Sequence, residues 1–290
     1  MSLAITGIEL ADGEGISPLI SMAKETGAIA LELWQPKNVT PSTAAEVAAA
    51  VHGAGLTVGC LSTGVELYRD EGAELQQAKL LETIDLAYEI GATRVSSFFG
   101  FSKAADDDRT TAGYLSLIAP CLEKSATLGI TLLLENEFDA FGWDPSGSDV
   151  TRRPDALFRL FERARDDHLS MTFDAANFVC AGIDPLDAYR ALREHVGYVH
   201  LKDVVALDAE TPLPGYRMFQ DHRRSYSTCP LGQGVVPWPE LLAALKSSGY
   251  AGDFCLEPHA TQENRDAAWR AAAAQVQSWL TDLDWQDAIG

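Results

Sequence analysis

Short apolar runs alternate along the chain with longer segments whose apolar residues recur every three or four positions. The short runs are typical of buried strands, and the longer segments are typical of amphipathic helices. Eight apolar runs occur, at residues 3–9, 28–34, 56–62, 93–99, 130–135, 170–174, 198–202 and 253–257. Helical segments lie between these runs, and residues 264–280 predict the eighth and last helix.

Prolines mark the predicted starts of three helices. Each proline suits the first helical turn, and a residue that can cap a helix through its side chain stands directly before it. We therefore expect helix N-caps at Ser17, Thr40 and Asp184, which precede Pro18, Pro41 and Pro185.

The regular alternation predicts a (β/α)8 TIM barrel, an α/β fold. Eight strand–helix units fit this single-domain architecture, and no linker-like or low-complexity segment divides residues 1–290. A doubly wound open sheet is the alternative, but no GxGxxG motif follows the first strand, which favours closure. One connection is unusually long, since about residues 204–233 form an extended loop after the seventh strand. In a barrel this loop lies on the C-terminal face, where active sites are built.

Composition and charge narrow the possible partners and the compartment. The chain is 47% hydrophobic, yet no run approaches the roughly 20 apolar residues that a membrane span needs. Its net charge of −20 repels phosphate backbones and anionic lipids, so we expect no nucleic-acid or membrane partner. The first residues lack a signal-peptide pattern, and the five scattered cysteines suit buried free thiols. We therefore expect a cytoplasmic protein.

Ionisable residues fall at the ends of four consecutive predicted strands. Strand five ends at Glu135, strand six at Asp174 and strand eight at Glu257, and strand seven carries His200. Three carboxylates and one imidazole that converge at a barrel mouth are costly to desolvate without a cation. Such an oxygen-rich set with one nitrogen predicts a divalent metal site, for Mn²⁺ or Mg²⁺ and less specifically for Co²⁺ or Zn²⁺.

Strand alternation places further side chains near the predicted metal site. Residues at i and i+2 share a face of a strand, so Lys202 faces the same pocket as His200 and can polarise a substrate oxygen. A helix-facing salt bridge between Lys202 and Asp203 is the alternative. By the same rule Glu137 and His259 stand at the rim, two residues beyond the predicted glutamate ligands.

Candidate substrate contacts are less sharply defined. Trp34, Phe99 and Trp143 lie near strand ends, where aromatic rings either stack on a sugar or pack the barrel. Arg223, in the long loop, is a candidate for binding an anionic substrate group, with a solvated loop tip as the alternative. The GxG stretch at residues 232–234 suits either a phosphate site or a simple turn.

Five segments resemble the xylose isomerase-like TIM-barrel superfamily, which includes sugar phosphate isomerases and epimerases and family 2 AP endonucleases. The segments are "LLLENE" (132–137), "MTFDAANF" (171–178), "YVHLKD" (198–203), "PLGQGVVPW" (230–238) and "FCLEPH" (254–259). The resemblance covers essentially the whole chain. The endonucleases bind three zinc ions and use several more histidines for this than the present chain has near its strand ends. The net negative charge of the chain also disfavours that branch.

The ketose 3-epimerase branch of this superfamily implies specific roles for these residues. Its Glu-Asp-His-Glu metal pattern falls on Glu135, Asp174, His200 and Glu257. There the two glutamates also form the proton-transfer pair, working through an enediolate, and Lys202 suits stabilisation of the oxyanion. One position departs from the branch, because Asn177 stands where it has a histidine. An amide can hydrogen-bond a substrate hydroxyl but cannot relay a proton.

Three functions follow from this pattern. The first is a metal-dependent isomerase or epimerase that acts on a keto-sugar or polyol ketone. The second is a metal-dependent lyase or dehydratase for a keto-inositol, a dehydroshikimate-like compound or a 3-keto-glycoside, which begins with the same proton removal. The third is a non-catalytic sugar-binding barrel. The resemblance also implies a homo-oligomer, a dimer or a tetramer, with the loop at 204–233 as a candidate contact.

Overall fold

Eight parallel strands close into a barrel, as the alternation predicts. The computed structural model describes residues 1–69, 71–101, 107–138, 149–208, 211–220 and 224–285. The strands are β1 (Leu3–Thr6), β2 (Ala30–Gln35), β3 (Thr57–Glu66), β4 (Arg94–Phe98), β5 (Thr131–Glu135), β6 (Leu169–Asp174), β7 (Val196–Leu201), β8 (Val204–Leu207), β9 (Met218–Gln220), β10 (Ser225–Thr228) and β11 (Asp253–Leu256). Strands β1 to β7 follow one another around the barrel, and β11 closes it between β7 and β1.

Helices cover the outside of the barrel. Within the described ranges they are α1 (Ser17–Thr26), α2 (Ala44–Gly53), α3 (Ala73–Ile90), α4 (Asp107–Leu128), α5 (Pro154–Ala164), α6 (Ala175–Cys180), α7 (Pro185–Leu192), α8 (Trp238–Ser247) and α9 (Arg265–Asp282). Two short 3₁₀ helices are also present: Gly7–Glu9 follows β1, and Val150–Arg152 precedes α5. None of the helices described is long and apolar enough to cross a membrane.

The three predicted helix caps have different outcomes. Asp184 caps α7, because its carboxylate accepts the backbone N–H groups of Leu186 and Asp187. The prediction for Ser17 was wrong, since this residue already lies inside α1 and makes no capping bond. The prediction for Thr40 was also wrong: its backbone N–H donates to the Thr43 hydroxyl, and this local turn delays the start of α2.

The core lies in two layers. The larger layer fills the space between the strands and the surrounding helices, where the apolar faces of both are buried. A small inner layer fills the barrel itself with Ala4, Ala30, Cys60, Leu133, Tyr198 and Cys255. All five cysteines are buried free thiols, as the composition predicts. Because these interior residues close the barrel below its mouth, polar side chains at the strand ends are confined to the mouth.

The segment expected as an extended loop, 204–233, contains a small antiparallel sheet. Strand β10 lies between β8 and β9 in this sheet, which begins just after β7. An isolated bridge between Tyr216 and Ala260 joins the segment to the chain beyond β11. The insertion is therefore attached to the chain just after His200 and just after Glu257.

Candidate active site

The four predicted ligand residues meet at the mouth of the barrel. One ligand atom from each of Glu135, Asp174, His200 and Glu257 lies within 4.8 Å of the others, and all four side chains are buried. Glu135 and Asp174 end β5 and β6, His200 lies in β7, and Glu257 directly follows β11. Parallel strands of a barrel all end at the same rim, so residues far apart in sequence converge there.

His200 lies between acidic groups on both sides of its ring. Its Nδ1 is 3.2 Å from Oε1 of Glu135 and 3.4 Å from Oε2 of Glu257. Its Nε2 is 2.9 Å from Oε2 of Glu32, a fully buried carboxylate on β2. Burial disfavours the imidazolium, but Glu257, Glu135 and Glu32 outweigh it and raise the pKa of His200 well above its ordinary value.

Lys202 reaches into the same cluster, as strand alternation predicts. Its Nζ is 2.6 Å from Oδ2 of Asp174 and 3.3 Å from Oε2 of Glu257. Burial opposes its charge, yet the neighbouring carboxylates raise its pKa well above the ordinary value, so it stays an ammonium. The alternative pairing with Asp203 is not formed, because the carboxylate of Asp203 is bonded to backbone N–H groups.

The donor set fits a divalent metal ion. Three carboxylates and an imidazole nitrogen are ligands that Mn²⁺, Mg²⁺ and Zn²⁺ accept. Oδ1 of Asp174 accepts the N–H of Asn177 at 2.9 Å, which fixes the carboxylate. Within the described part of the chain, its buried Oδ2 has no aligned hydrogen bond, although the Lys202 ammonium lies 2.6 Å away. Oδ2 of Asp174 therefore has lone pairs available to bind a metal ion.

The two glutamates of the cluster have oppositely shifted pKa values. Burial raises the pKa of Glu135 to about 7 despite the charge of His200. Burial acts the same way on Glu257, but the charges of His200 and Lys202 outweigh it and hold that pKa well below the ordinary value. Carboxyls whose surroundings separate their pKa values in this way suit an acid and a base.

His259 lies beside Glu257, on the side facing the insertion. Its Nε2 is 3.5 Å from Oε2 of Glu257, and burial lowers its pKa to about 3, so the ring is neutral. Its backbone has a left-handed φ of 46°, which a non-glycine residue adopts only when its surroundings hold it. Buried Glu9 provides that hold, because it accepts the His259 N–H at 2.6 Å and pairs with Arg217 at 3.2 Å.

Asn177 lies in the site but its amide group is committed to the backbone. Its Nδ2 donates to the carbonyl of Asn136 at 2.9 Å, and its side chain is buried. Asn136 in turn exchanges two hydrogen bonds with the backbone of Asp174, at 2.8 and 2.9 Å. These two asparagines join the ends of β5 and β6. Among the residues that the structure describes, Oδ1 of Asn177 has no hydrogen-bond partner.

The remaining predicted contacts are dispersed. Trp34 is half-buried at the end of β2, where its indole N–H donates to Glu32 and its ring centre lies 6.4 Å from that of Phe98. Glu137 is half-buried; burial and then Glu135 raise its pKa well above the ordinary value. Phe99 is fully buried and stacks on Tyr114, so it packs the core instead of a substrate wall. Arg223 and Trp143 lie outside the described residues.

The GxG stretch at 232–234 binds a carboxylate of this chain. Asp203 accepts the backbone N–H groups of Gly232 and Gly234 at 3.0 Å, of Val236 at 3.1 Å and of Val204 at 2.9 Å. A side chain at position 234 would overlap Asp203, which explains the glycine. The N–H groups of Gly232 and Gly234, which a phosphate site would need, thus donate to the carboxylate of Asp203.

Sequence reasoning missed three polar residues of the mouth, namely Glu9, Glu32 and Asn136. Glu32 interrupts the apolar run 28–34 in the way that His200 interrupts the run 198–202, so a signal was present. Glu9 lies in the 3₁₀ turn after β1, where the apolar run 3–9 was expected to continue as strand. The predicted ionisable residues came only from the last four strands of the barrel, whereas Glu9 follows β1 and Glu32 lies on β2.

Comparisons with known proteins identify the family and support the fold. The family model for the xylose isomerase-like TIM barrel matches residues 20–283. Inosose dehydratase from Lacticaseibacillus casei is 25% identical over 99 residues, and the alignment covers 34% of this chain and 33% of that relative. The xylose isomerase domain protein from Planctomyces limnophilus superposes with a TM-score of 0.77 at 17% identity, covering 98% of both chains. A structure of L-ribulose 3-epimerase gives a TM-score of 0.74 at 17% identity, covering 99% of this chain and 97% of the other.

The structural similarities establish the fold, since their sequence identity is low. The match to the family model runs from α1 to the end of α9 and therefore includes all four predicted ligands. The sequence resemblance is thus confirmed, and the chain belongs to the family of xylose isomerase-like TIM barrels.

Proposed function

We propose that this protein is a divalent-metal-dependent isomerase or epimerase that moves a proton next to the carbonyl of a keto-sugar or polyol ketone. The supporting observation is the pair Glu135 and Glu257, which approach the same atom, Nδ1 of His200, at 3.2 and 3.4 Å. Their oppositely shifted pKa values suit one carboxylate that takes a proton and one carboxyl that gives it. The family relatives include an epimerase and a dehydratase, which supports an enzyme.

In this proposal each residue has a defined task. Glu257, held ionised by its cationic neighbours, removes the proton from the carbon next to the carbonyl. Glu135 returns a proton to the opposite face, which inverts that carbon, or to the neighbouring carbon, which isomerises the sugar. The ammonium of Lys202 stabilises the oxygen on which negative charge develops. A divalent ion held by Glu135, Asp174, His200 and Glu257 supplies Lewis-acid polarisation when bound; Mn²⁺ is our expected ion.

An uncharged substrate suits this mouth better than a sugar phosphate. Lys202 is paired with Asp174, and Arg217 is paired with Glu9. The backbone amides of the 232–234 stretch are bound by Asp203. With these cationic and N–H groups already engaged by carboxylates, a phosphate would meet an acidic surface.

The test is solvent isotope exchange. The protein is incubated in D₂O with Mn²⁺ and a panel of unphosphorylated ketoses and polyol ketones, and deuterium at carbon is measured by NMR. We expect deuterium next to the carbonyl of at least one substrate, with the mass otherwise conserved. A broad panel without exchange would contradict the proposal, and the Glu257→Gln protein is the matched control.

A dehydratase is the second candidate. It is favoured by Lys202, whose ammonium lies 3.3 Å from Glu257 and can donate a hydrogen bond to a departing hydroxyl, and by the similarity to inosose dehydratase. The same incubation distinguishes the two reactions by mass spectrometry. Loss of water from the substrate identifies the dehydratase, and an unchanged formula identifies the isomerase or epimerase.

We also propose that the protein assembles as a dimer or tetramer. The sheet of 204–233 supports this, because it lies outside the barrel and is tied to β7 and the chain after β11. Analytical ultracentrifugation tests the assembly, and a single monomeric species at micromolar concentration would contradict it.

A further inference from the structure

A buried carboxylate lies directly behind the histidine of the proposed metal centre. Oε2 of Glu32 is 2.9 Å from Nε2 of His200, the ring nitrogen that points away from Glu135 and Glu257. Its other oxygen, Oε1, accepts the Thr6 hydroxyl at 2.8 Å and the Trp34 indole N–H at 2.9 Å. Glu32 is fully buried, so water does not compete for these bonds.

Both oxygens of Glu32 therefore face donors. The indole nitrogen of Trp34 can only donate, and an ionised carboxylate can only accept. With Oε1 engaged by Trp34 and Thr6, Oε2 is free to accept a proton-bearing Nε2 of His200. The arrangement favours the form of His200 that carries a proton on Nε2.

We propose that Glu32 is a positioning residue of the metal centre, which holds the proton of His200 on Nε2 and leaves Nδ1 unprotonated for the ion. This inference rests on the metal centre of the proposed function. It assigns Glu32 no contact with the ion or the substrate. Histidine ligands in metalloproteins commonly donate their second N–H to a carboxylate, which orients the ring and raises its basicity.

The indole of Trp34 makes a carboxylate necessary at position 32. In Glu32→Gln, an amide oxygen facing Trp34 places the NH₂ against His200, which favours a proton on Nδ1 and blocks that ligand atom. The flipped amide offers its oxygen to His200 but places the NH₂ against the indole N–H, 2.9 Å away. Neither orientation satisfies both neighbours.

A second metal site behind His200 is the competing interpretation of the same residues. Ligand atoms of Glu32, His200 and Cys255 do lie within 4.8 Å of one another. However, burial and then Glu32 raise the pKa of Cys255 well above its ordinary value, and its Sγ faces the carbonyl of Leu256 at 3.9 Å. A protonated thiol is a poor ligand, so a positioning role accounts better for Glu32.

The first experiment measures metal affinity. Wild-type protein and Glu32→Gln are stripped of metal and titrated with Mn²⁺ by calorimetry and with Co²⁺ by absorption spectroscopy. We expect the variant to bind each ion about 10- to 100-fold more weakly, with an altered Co²⁺ spectrum. The matched control is Asp253→Asn, which changes a half-buried carboxylate at the opposite end of the barrel and should leave both readouts unchanged.

The second experiment tests the conflict with the indole. Trp34→Phe removes the N–H while keeping an aromatic ring. In the double variant the amide introduced at position 32 can therefore turn its oxygen toward His200 and its NH₂ toward the Thr6 hydroxyl. We expect Glu32→Gln combined with Trp34→Phe to bind Mn²⁺ more tightly than Glu32→Gln alone. A merely structural role for Glu32 predicts the reverse, since the second substitution would add to the damage.

The third measurement needs no variant. In Zn²⁺-loaded wild-type protein, ¹⁵N NMR of His200 should show a protonated Nε2 and a metal-bound Nδ1; the opposite assignment overturns the inference. Unchanged affinity and spectrum in folded Glu32→Gln also overturn it while leaving the proposed function intact. A wild-type protein that binds no divalent ion instead refutes the metal centre, and this inference with it.

Discussion

The two ends of the barrel treat charge differently. At the N-terminal end, Arg94 pairs with Asp253 at 2.7 Å, and the second oxygen of Asp253 accepts the N–H of Ser2 at 2.6 Å. At the mouth, a single oxygen of Glu257, Oε2, lies within 3.5 Å of three nitrogens, from His200, Lys202 and His259. The first end is a closed pair, whereas the second is a shared cluster of mutually dependent groups.

This difference separates stability from function. At the N-terminal end, the lower end of the barrel, the carboxylate of Asp253 already has a cation and an N–H donor as partners. A bound ligand would therefore not stabilise this end further. In the upper cluster, Glu32, Glu135, Asp174 and Glu257 share His200 and Lys202, so the buried carboxylates outnumber these two cationic groups. Such an excess of buried negative charge is costly and is relieved by a divalent cation.

The largest expected effect comes from breaking the upper cluster at its centre. Glu257→Gln keeps the side-chain volume but removes the proposed base and a ligand charge. We expect kcat to fall by about 10²- to 10⁴-fold, the range that a positioned acid or base contributes. Steady-state turnover measures this loss, and an unchanged circular dichroism spectrum shows that the fold persists. Full turnover by the variant would exclude Glu257 as an essential base.

The next effect is a pH dependence of stability that only the upper end should show. Burial raises the pKa of Glu9 from 4.5 to about 7, and Arg217 only partly offsets this. The folded state therefore binds this proton more tightly than the unfolded chain. The resulting stability is complete below about pH 4.5 and is lost as pH rises through about 7.

Glu9→Gln removes this dependence. Between about pH 5 and about pH 8, we expect the unfolding free energy of wild type to fall relative to the variant by up to about 3 kcal/mol. Urea denaturation at each pH measures it. Glu25→Gln is the control, because Arg270 lowers the pKa of exposed Glu25 and the trend at that site has the opposite sign. Parallel pH profiles for wild type and Glu9→Gln would contradict the prediction.

Adding a divalent metal ion should raise the unfolding free energy through binding at the mouth, which is the upper end of the barrel, and not at the N-terminal end. At an ion concentration about 100 times Kd, binding to the folded state adds about 2.7 kcal/mol to the unfolding free energy. Thermal melts of metal-stripped protein with and without Mn²⁺ measure this gain. We expect Asp174→Asn to lose most of the gain and Asp253→Asn to keep it. Wild-type melts that do not respond to any divalent ion would favour the non-catalytic barrel.

The smallest effect is expected at the lower end. Asp253→Asn weakens a half-buried ion pair with Arg94 and should cost about 1 kcal/mol of unfolding free energy. Urea denaturation measures the loss, and kcat should not change because the residue lies at the far end of β11 from Glu257. A reduced kcat with unaltered metal affinity would show that the two ends are coupled.

Much of the site could be predicted because side-chain positions in a barrel follow from strand ends. Glu135, Asp174, His200 and Glu257 come together because each closes or nearly closes an apolar run, and parallel strands end at one rim. The shared face of His200 and Lys202 follows from the period of two along a strand. These are local rules, so they can be read without knowing any long-range contact.

The partners of these groups could not be predicted in the same way. Whether Asn177 faces a substrate depends on Asn136, 41 residues away, which binds its amide. Whether residues 232–234 can bind phosphate depends on Asp203, because its carboxylate already accepts the N–H groups of Gly232 and Gly234. Hydrogen-bond partners are chosen by spatial proximity among many equivalent donors and acceptors, and sequence spacing does not report it.

The sequence by itself determined the barrel, the family and the four residues that converge at its mouth, since apolar periodicity and strand ends are local properties. Only the tertiary structure decided that Glu32 lies behind His200 across 168 positions, that Glu9 anchors His259, and that the segment 204–233 contains a sheet. Closing the barrel pairs β1 with β11 and brings Glu32 of β2 to His200 of β7, and these contacts join parts of the chain that are far apart in sequence.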